Sequence, residues 1–221
     1  MIGNHPRENT ENILEVRDLV QTFSQPYGIL DRLTGKPRKT VHAVNGVSFS
    51  IRRKEVFSLV GESGCGKSTT ARTIVRLLEP RSGSIVFDGE DISAYSPTRM
   101  MHVRKKMQMI FQDPYASLNP RQRIKDIIME PMLFHKTVAG KEEAHAEMYR
   151  LLDIVGFRPE QAERYPHQFS GGQRQRIGIA RALSTNPSFI VADEPVSALD
   201  VSIQAQVLNL MMDLEDEFSL S

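Results

Sequence analysis

The sequence has little of several things, and each shortage removes a class of protein. It has a single cysteine, Cys65, which excludes an internal disulfide framework and fits a reducing compartment. No apolar run approaches the roughly 18 residues that a membrane-spanning helix needs, and no signal-peptide hydrophobic region opens the chain. There is no excess of charge: 28 Lys and Arg face 27 Asp and Glu, a formal +1. That balance lends no support to a basic protein that coats a polyanion. Neither an internal repeat nor a low-complexity tract is present. The remainder suffices for a fold, because 221 residues that are 40% hydrophobic and 25% charged can bury a core. One domain, or a core with a small subdomain, is expected. The chain reads as a soluble cytoplasmic protein whose membrane contact, where it has one, is made through a partner.

Along the chain, residues 1–12 are polar and expected to fray. Ile13 to Val20 reads as a first strand, and residues 24–40, with Pro26, Gly28, Gly35 and Pro37, read as an exposed insertion. Val47, Phe49 and Ile51 alternate with Ser48, Ser50 and Arg52, the pattern of a half-buried strand. A short apolar strand is expected over Glu55–Val60, then a helix with Ala71, Ile74, Val75 and Leu78 on one face, stopped by Pro80. Strands follow at Ser84–Asp88 and Met107–Phe111, with a helix over Arg99–Lys106 between them. From Asp113 to about Phe169 the pattern turns helical. Ile124, Ile127, Ile128 and Met132 form a stripe that Pro131 is expected to break, and Ala144, Met148, Leu151, Leu152 and Val155 form an amphipathic helix ended by Gly156. The methionines in these stripes read as core packing. Ser170–Ser184 reads as a glycine turn and helix, Phe189–Ala192 as an apolar strand buried on both faces, and Gln204–Phe218 as a last helix.

Three short stretches carry chemistry. Gly61-Glu62-Ser63-Gly64-Cys65-Gly66-Lys67-Ser68-Thr69 satisfies G-x-x-x-x-G-K-[ST] between an expected strand and an expected helix. Its glycines let the backbone N–H groups point at phosphate oxygens, and the helix start adds its positive dipole end. Lys67 can reach the β- and γ-phosphates, and the Ser68 hydroxyl is placed to ligand Mg²⁺. This is a nucleotide site, and Cys65 inside it should be open to a thiol reagent against which ATP protects. Asp193-Glu194 ends a buried strand, where two carboxylates are costly unless cations or water compensate them. Beside a phosphate loop, Asp193 would orient Mg²⁺ and Glu194 would polarise the attacking water. Gln112, leaving its own strand, could complete the shell around metal and water. Phe169-Ser170-Gly171-Gly172-Gln173 is by itself a capped helix start, and in this company it is also a phosphate-binding device.

The order of phosphate loop, Gln112, Ser170-Gly171-Gly172-Gln173, Asp193-Glu194 and Ser197-Ala198-Leu199-Asp200 resembles the nucleotide-binding domain of ABC ATPases, from Ile13 to the end of the chain. The resemblance implies an α/β fold of the P-loop NTPase type: a RecA-like parallel-sheet core with an antiparallel β subdomain (1–112 and 170–221) and a helical subdomain (113–169). It implies a head-to-tail dimer that holds two ATP molecules with Mg²⁺, each between Lys67 of one subunit and Ser170 and Gly172 of the other. Asp200 would pass information between the two sites. Gln112 would link the γ-phosphate to the helical subdomain, which docks on a transporter's membrane helices. Phe23 is the nearest match for the aromatic that stacks on adenine, with Tyr27 as rival.

Phe111-Gln112-Asp113-Pro114-Tyr115-Ala116-Ser117-Leu118-Asn119-Pro120-Arg121 is similar to the peptide and nickel importer ATPases, as are Tyr165-Pro166-His167-Gln168-Phe169 and Ser197 to Leu208. That similarity implies two integral permease subunits, a second ATPase of the same kind (identical or not) and an extracytoplasmic substrate-binding protein as partners, at the cytoplasmic face of the membrane. The family's histidine beyond the catalytic Glu, and its closing strands, have no counterpart after His167 and Phe218. The expectation is therefore a C-terminally truncated cassette that binds ATP and hydrolyses it poorly. A non-transport ABC ATPase acting on DNA or the ribosome would carry coiled-coil or zinc insertions, or two cassettes, and none is seen; nucleic acid is not an expected partner. A binding-only relic is the third reading.

Overall fold

The computed structural model describes residues 11–24 and 40–221. The frayed stretch expected over residues 1–10, most of the insertion and Tyr27 lie outside them. The chain forms two compact units, residues 1–95 and 96–221.

The first unit is built on a four-stranded antiparallel sheet in the order β2-β1-β3-β4, with β1 at Asn12–Ser24, β2 at Thr40–Arg52, β3 at Ser82–Phe87 and β4 at Glu90–Asp91. Val16 sits opposite Phe49 on one side and Ile85 on the other. Leu14 and Val16 point inward, then the register shifts around Asp18, whose φ is +47°, and Leu19 and Gln21 take over the buried face. The bulge thus resets the two-residue period. Gly83 is required beside it, since a Cβ there would lie 2.5 Å from the Asp18 carbonyl oxygen. On β2 the alternation holds as expected, with Ile51 buried and Ser48, Ser50 and Arg52 exposed.

Two expectations in this unit fail. Residues 55–60 form no strand: none of the described strands pairs with them, and Val60 is 88% exposed. A strand of that composition is buried by neighbours on both its edges, and the packing that Glu55–Val60 does make includes Phe57 stacked on Phe49, 5.0 Å between centroids. The following helix, α1 (Lys67–Ile74), stops before Pro80. Its chain turns off at Arg76, which has φ +55° and whose buried guanidinium donates to the carbonyls of Ile92 and Tyr95.

In the second unit α2 (Pro97–Lys106) starts from Ser96, whose Oγ accepts from the Arg99 N–H, and ends in Arg104, Lys105 and Lys106 against its negative dipole end. It runs straight into β5 (Met107–Ile110), which pairs in parallel with β6 (Phe189–Ala192), Ile110 opposite Ala192. A parallel pair needs a crossover, and helices α3 (Ile124–Phe134), α4 (Lys141–Ile154) and α5 (Gly171–Leu183), with two 3₁₀ turns, supply it before α6 (Val201–Phe218) closes the unit. Ile124, Ile128, Met132, Ala144, Met148, Leu151, Leu152 and Val155 are all buried in one core with Ile177, Val207 and Leu214. Helix α4 ends as expected at Gly156 (φ +79°), where the N–H groups of Phe157 and Gly156 bond back to Leu152 and Asp153.

Pro131 does not break its helix. The missing N–H costs α3 one backbone bond, which the buried residues on both sides of it, Ile127, Ile128 and Met132, offset. Nor is β6 buried on both faces: only Phe189 is buried and Ala192 is exposed, because the parallel sheet has two strands among the described residues.

Candidate functional site

The phosphate loop belongs to the first unit. The Cys65 N–H donates to the Glu62 carbonyl at 3.3 Å, and Gly64 (φ +81°) and Gly66 (φ +101°) take conformations open to glycine. At Gly66 a Cβ would stand 2.1 Å from the Ala43 carbonyl oxygen, so β2 leaves room for glycine alone. A Cβ at Gly61 would meet Cys65 Sγ at 2.6 Å. Lys67 Nζ donates to the carbonyls of Gly61 (2.8 Å) and Glu62 (3.0 Å), which lays the ammonium across the loop. Ser68 and Thr69 are half-buried in the first turn of α1, which carries no acidic residue to offset its positive end. Ser63 and Cys65 are exposed. Phe23 lies on β1 opposite Val41 and is 43% exposed.

The second cluster lies in the other unit, at the carboxyl ends of β5 and β6. Their parallel pairing makes Gln112 and Asp193-Glu194 leave the sheet at the same edge. The Asp193 N–H donates to the Ile110 carbonyl at 3.0 Å, and the residue is 4% exposed. Gln112 Nε2 donates to Glu194 Oε2 (3.0 Å) and to Ser197 Oγ (3.1 Å), and Ser197 Oγ donates to the Glu194 carbonyl (3.1 Å). Glu194 holds φ +45°, a conformation that costs a non-glycine residue about 1 kcal/mol or more and collects at functional positions.

Ser170 caps α5: its Oγ accepts from the Gln173 N–H and Gln173 Oε1 accepts from the Ser170 N–H. The glycines that follow have a packing reason that sequence reasoning missed. A Cβ on Gly172 would lie 2.2 Å from Ile203 Cγ2, and one on Gly171 would lie 3.4 Å from Leu199 Cδ2. Asp200, the N-cap residue of α6, is exposed between them. Gly172→Ala should therefore lower stability by about 1–3 kcal/mol. Gly178→Ala, with nothing within 4 Å of the added carbon, should be neutral or raise stability by up to about 1 kcal/mol. Urea unfolding of the two variants checks both. Further along α5 the Arg181 guanidinium donates to the Ser117 carbonyl, and burial pulls its pKa below the usual arginine value.

The family model described as ABC transporter matches residues 44–197, which contain both clusters and the capped glycine start of α5. The chain belongs to the ABC transporter family. It is 54% identical over 214 residues to the oligopeptide transport ATP-binding protein AppF of Bacillus subtilis, covering 96% of this chain and 64% of that protein. It is 50% identical over 225 residues to the glutathione import ATP-binding protein GsiA of Pectobacterium atrosepticum, covering all of this chain and 35% of that protein. The chain thus spans less than two thirds of the length of these relatives. Among solved structures it is similar to a dimeric ATP-binding cassette in a post-hydrolysis state bound to ADP and Pi, with TM-score 0.78, 28% identity, and 92% of this chain and 83% of that one covered. It is also similar to cbiO1 of Clostridium perfringens, part of the transporter complex cbiONQ, with TM-score 0.76, 26% identity, and 96% and 76% covered. These likenesses carry the α/β P-loop NTPase fold of ABC cassettes. No described helix is long and apolar enough to cross a membrane.

Proposed function

We propose that this chain is the ATP-binding and hydrolysing subunit of an ABC importer for oligopeptides or dipeptides. The observation that carries it is the Gln112–Glu194–Ser197 cluster at the carboxyl ends of a parallel strand pair, in a chain whose other unit holds a phosphate loop with no room for a side chain at Gly66. Gly61 to Thr69 would cradle the phosphates, with the Lys67 ammonium leaving its loop carbonyls for phosphate oxygens. Glu194 would take the proton of the attacking water, and Gln112, already bonded to it, would hold that water in line. Ser170 and the backbone N–H groups of Gly171 and Gly172, with Gln173 holding the cap, would bind the γ-phosphate of ATP held by a second ATPase subunit, identical or not, with Asp200 linking the two sites. Phe23 is exposed enough to stack on adenine.

The donors nominated for Mg²⁺ are the Ser68 hydroxyl, the Gln112 amide oxygen and the buried Asp193 carboxylate, hard oxygens that suit this ion. The ion's remaining partners would be phosphate oxygens and water. When bound it would neutralise charge on the phosphates.

Residues 113–169 would serve as the helical subdomain that meets two integral permease subunits at the cytoplasmic face of the membrane, with an extracytoplasmic substrate-binding protein feeding them. The relatives named for oligopeptide and glutathione transport favour a peptide over nickel as the solute. ATPase rates with and without the permease pair test the reading: stimulation by the permeases is expected, and absence of turnover in both would leave the binding-only alternative. A second check uses Cys65, the only cysteine and exposed. A maleimide should label it and block ATP binding, and saturating ATP should slow the labelling at least tenfold; labelling indifferent to ATP would place the nucleotide elsewhere.

A further inference from the structure

The loop that follows Gln112 is tied to the first turn of α5 by contacts that the reaction itself does not need. Asp113 Oδ1 accepts from the backbone N–H groups of Tyr115 (2.7 Å) and Ala116 (3.3 Å), a turn that fixes where the Tyr115 ring goes. That ring faces the Arg174 guanidinium, whose central carbon is 4.0 Å from the ring centroid. Arg174 is itself anchored, its Nε donating to the Pro166 carbonyl at 2.8 Å. The ring also reaches the glycine turn: a Cβ on Gly171 would be 3.8 Å from Tyr115 Oη and 3.9 Å from its Cε2. A weaker bond runs alongside, from Gln175 Nε2 to the Phe111 carbonyl at 3.4 Å. Tyr115 is nevertheless 63% exposed, so burial of apolar area does not explain an aromatic there. What the position uses is a flat ring under a cation.

We infer that Tyr115 is a positioning residue: stacked on Arg174, it couples the placement of Gln112 to the Ser170–Gly172 end of α5, and thereby sets how that end meets the nucleotide held by a second ATPase subunit. The inference rests on the dimeric reading proposed above. Gln112 contacts Glu194 and Ser197, and the very next residue, Asp113, aims the ring. A shift of Gln112 toward a γ-phosphate therefore moves the ring, and the stacked Arg174 carries the helix start with it. On the other side of the same turn Leu199 and Ile203 pack against Gly171 and Gly172, so the turn has two supports and Tyr115 is the one joined to Gln112.

The test uses the 221-residue chain carrying Glu194→Gln as parent, with Tyr115→Phe, Tyr115→Leu, Arg174→Lys and Arg174→Met added singly. Affinity for a fluorescent ATP analogue is measured at low protein concentration, and ATP-dependent dimerisation by sedimentation. Tyr115→Leu and Arg174→Met should keep nucleotide affinity within about twofold and weaken the dimer about tenfold or more, since both helix starts of the symmetric assembly lose their placement. Tyr115→Phe should match the parent and Arg174→Lys should fall between. A purely structural loss would lower nucleotide affinity and dimerisation together. Tyr115→Leu dimerising like the parent, or Tyr115→Phe failing like Tyr115→Leu, overturns the inference alone. A parent that forms no ATP-dependent dimer overturns the pairing of two copies of this chain, and the inference, which is drawn for that pair, falls with it.

Discussion

Gly66→Ala should reduce affinity for ATP by about two orders of magnitude while the chain still folds. Two independent costs fall on this substitution. The residue sits at φ +101°, in the left-handed region that side chains other than glycine rarely adopt, which costs of order 1–3 kcal/mol. The added carbon would also stand 2.1 Å from the Ala43 carbonyl oxygen and 3.2 Å from its carbon. Ala43 cannot yield, because its neighbours His42 and Val44 are paired with Thr22 and Gln21 across the sheet. The loop must move instead, and its N–H groups no longer converge on the phosphates. Gly64→Ala separates the two costs: φ is +81° but nothing lies within 4 Å of the added carbon. It should lose less than tenfold in affinity. Equilibrium binding of ATP to both variants, with thermal unfolding to confirm the fold, decides the matter. Equal affinity for Gly66→Ala and the parent would sever the loop from nucleotide binding.

The contrast between these two glycines shows what a linear sequence can carry. The motif fixes Gly66 and leaves Gly64 at a free position, and its spacing between an apolar stretch and a helix identifies the loop, yet only the approach of β2, about twenty residues upstream, shows why Gly66 is irreplaceable. The same holds at Gly171 and Gly172. Their place after a capping serine is local and legible, whereas the contact with Ile203 depends on α6 packing across α5. Helical stripes were the most readable feature, because Ala144, Met148, Leu151 and Leu152 report one buried face through spacing alone. Glu55–Val60 shows the limit of composition. An apolar β-branched run says that a segment can be a strand, but hydrogen-bond partners from distant parts of the chain decide whether it is one. Pro131 errs in the other direction, since a local rule about lost hydrogen bonds yields to a buried stripe on both sides of it. The pairing of Gln112 with Glu194 spans 82 positions. It follows from β5 and β6 lying parallel, and nothing in the spacing of the two residues announces it.

Glu194→Gln should slow hydrolysis by about 10²–10⁴-fold while leaving ATP binding intact, so that the ATP-bound dimer accumulates. The substitution preserves shape, and the amide oxygen can still accept from Gln112 Nε2, which now sits 3.0 Å from the carboxylate. The Ser197 hydroxyl keeps its bond to the Glu194 backbone carbonyl at 3.1 Å, so the turn and its left-handed φ of +45° survive. Only the capacity to accept a proton from water is lost. Gln112→Ala makes a different change: it removes the donor to the Glu194 carboxylate and the Ser197 hydroxyl while the carboxylate stays. Its hydrolysis rate should fall less than that of Glu194→Gln because the base is still present. Single-turnover rates with radiolabelled ATP, read beside the dimer fraction from sedimentation, separate the two. If Glu194→Gln turned over ATP as fast as the parent, proton abstraction would belong to another group. The nearest carboxylate in sequence, Asp193, is buried with its N–H bonded to Ile110, whereas Glu194 is exposed beside the glutamine that would hold the water. Of the two adjacent acids, that difference in exposure is why we propose that Glu194 takes the proton.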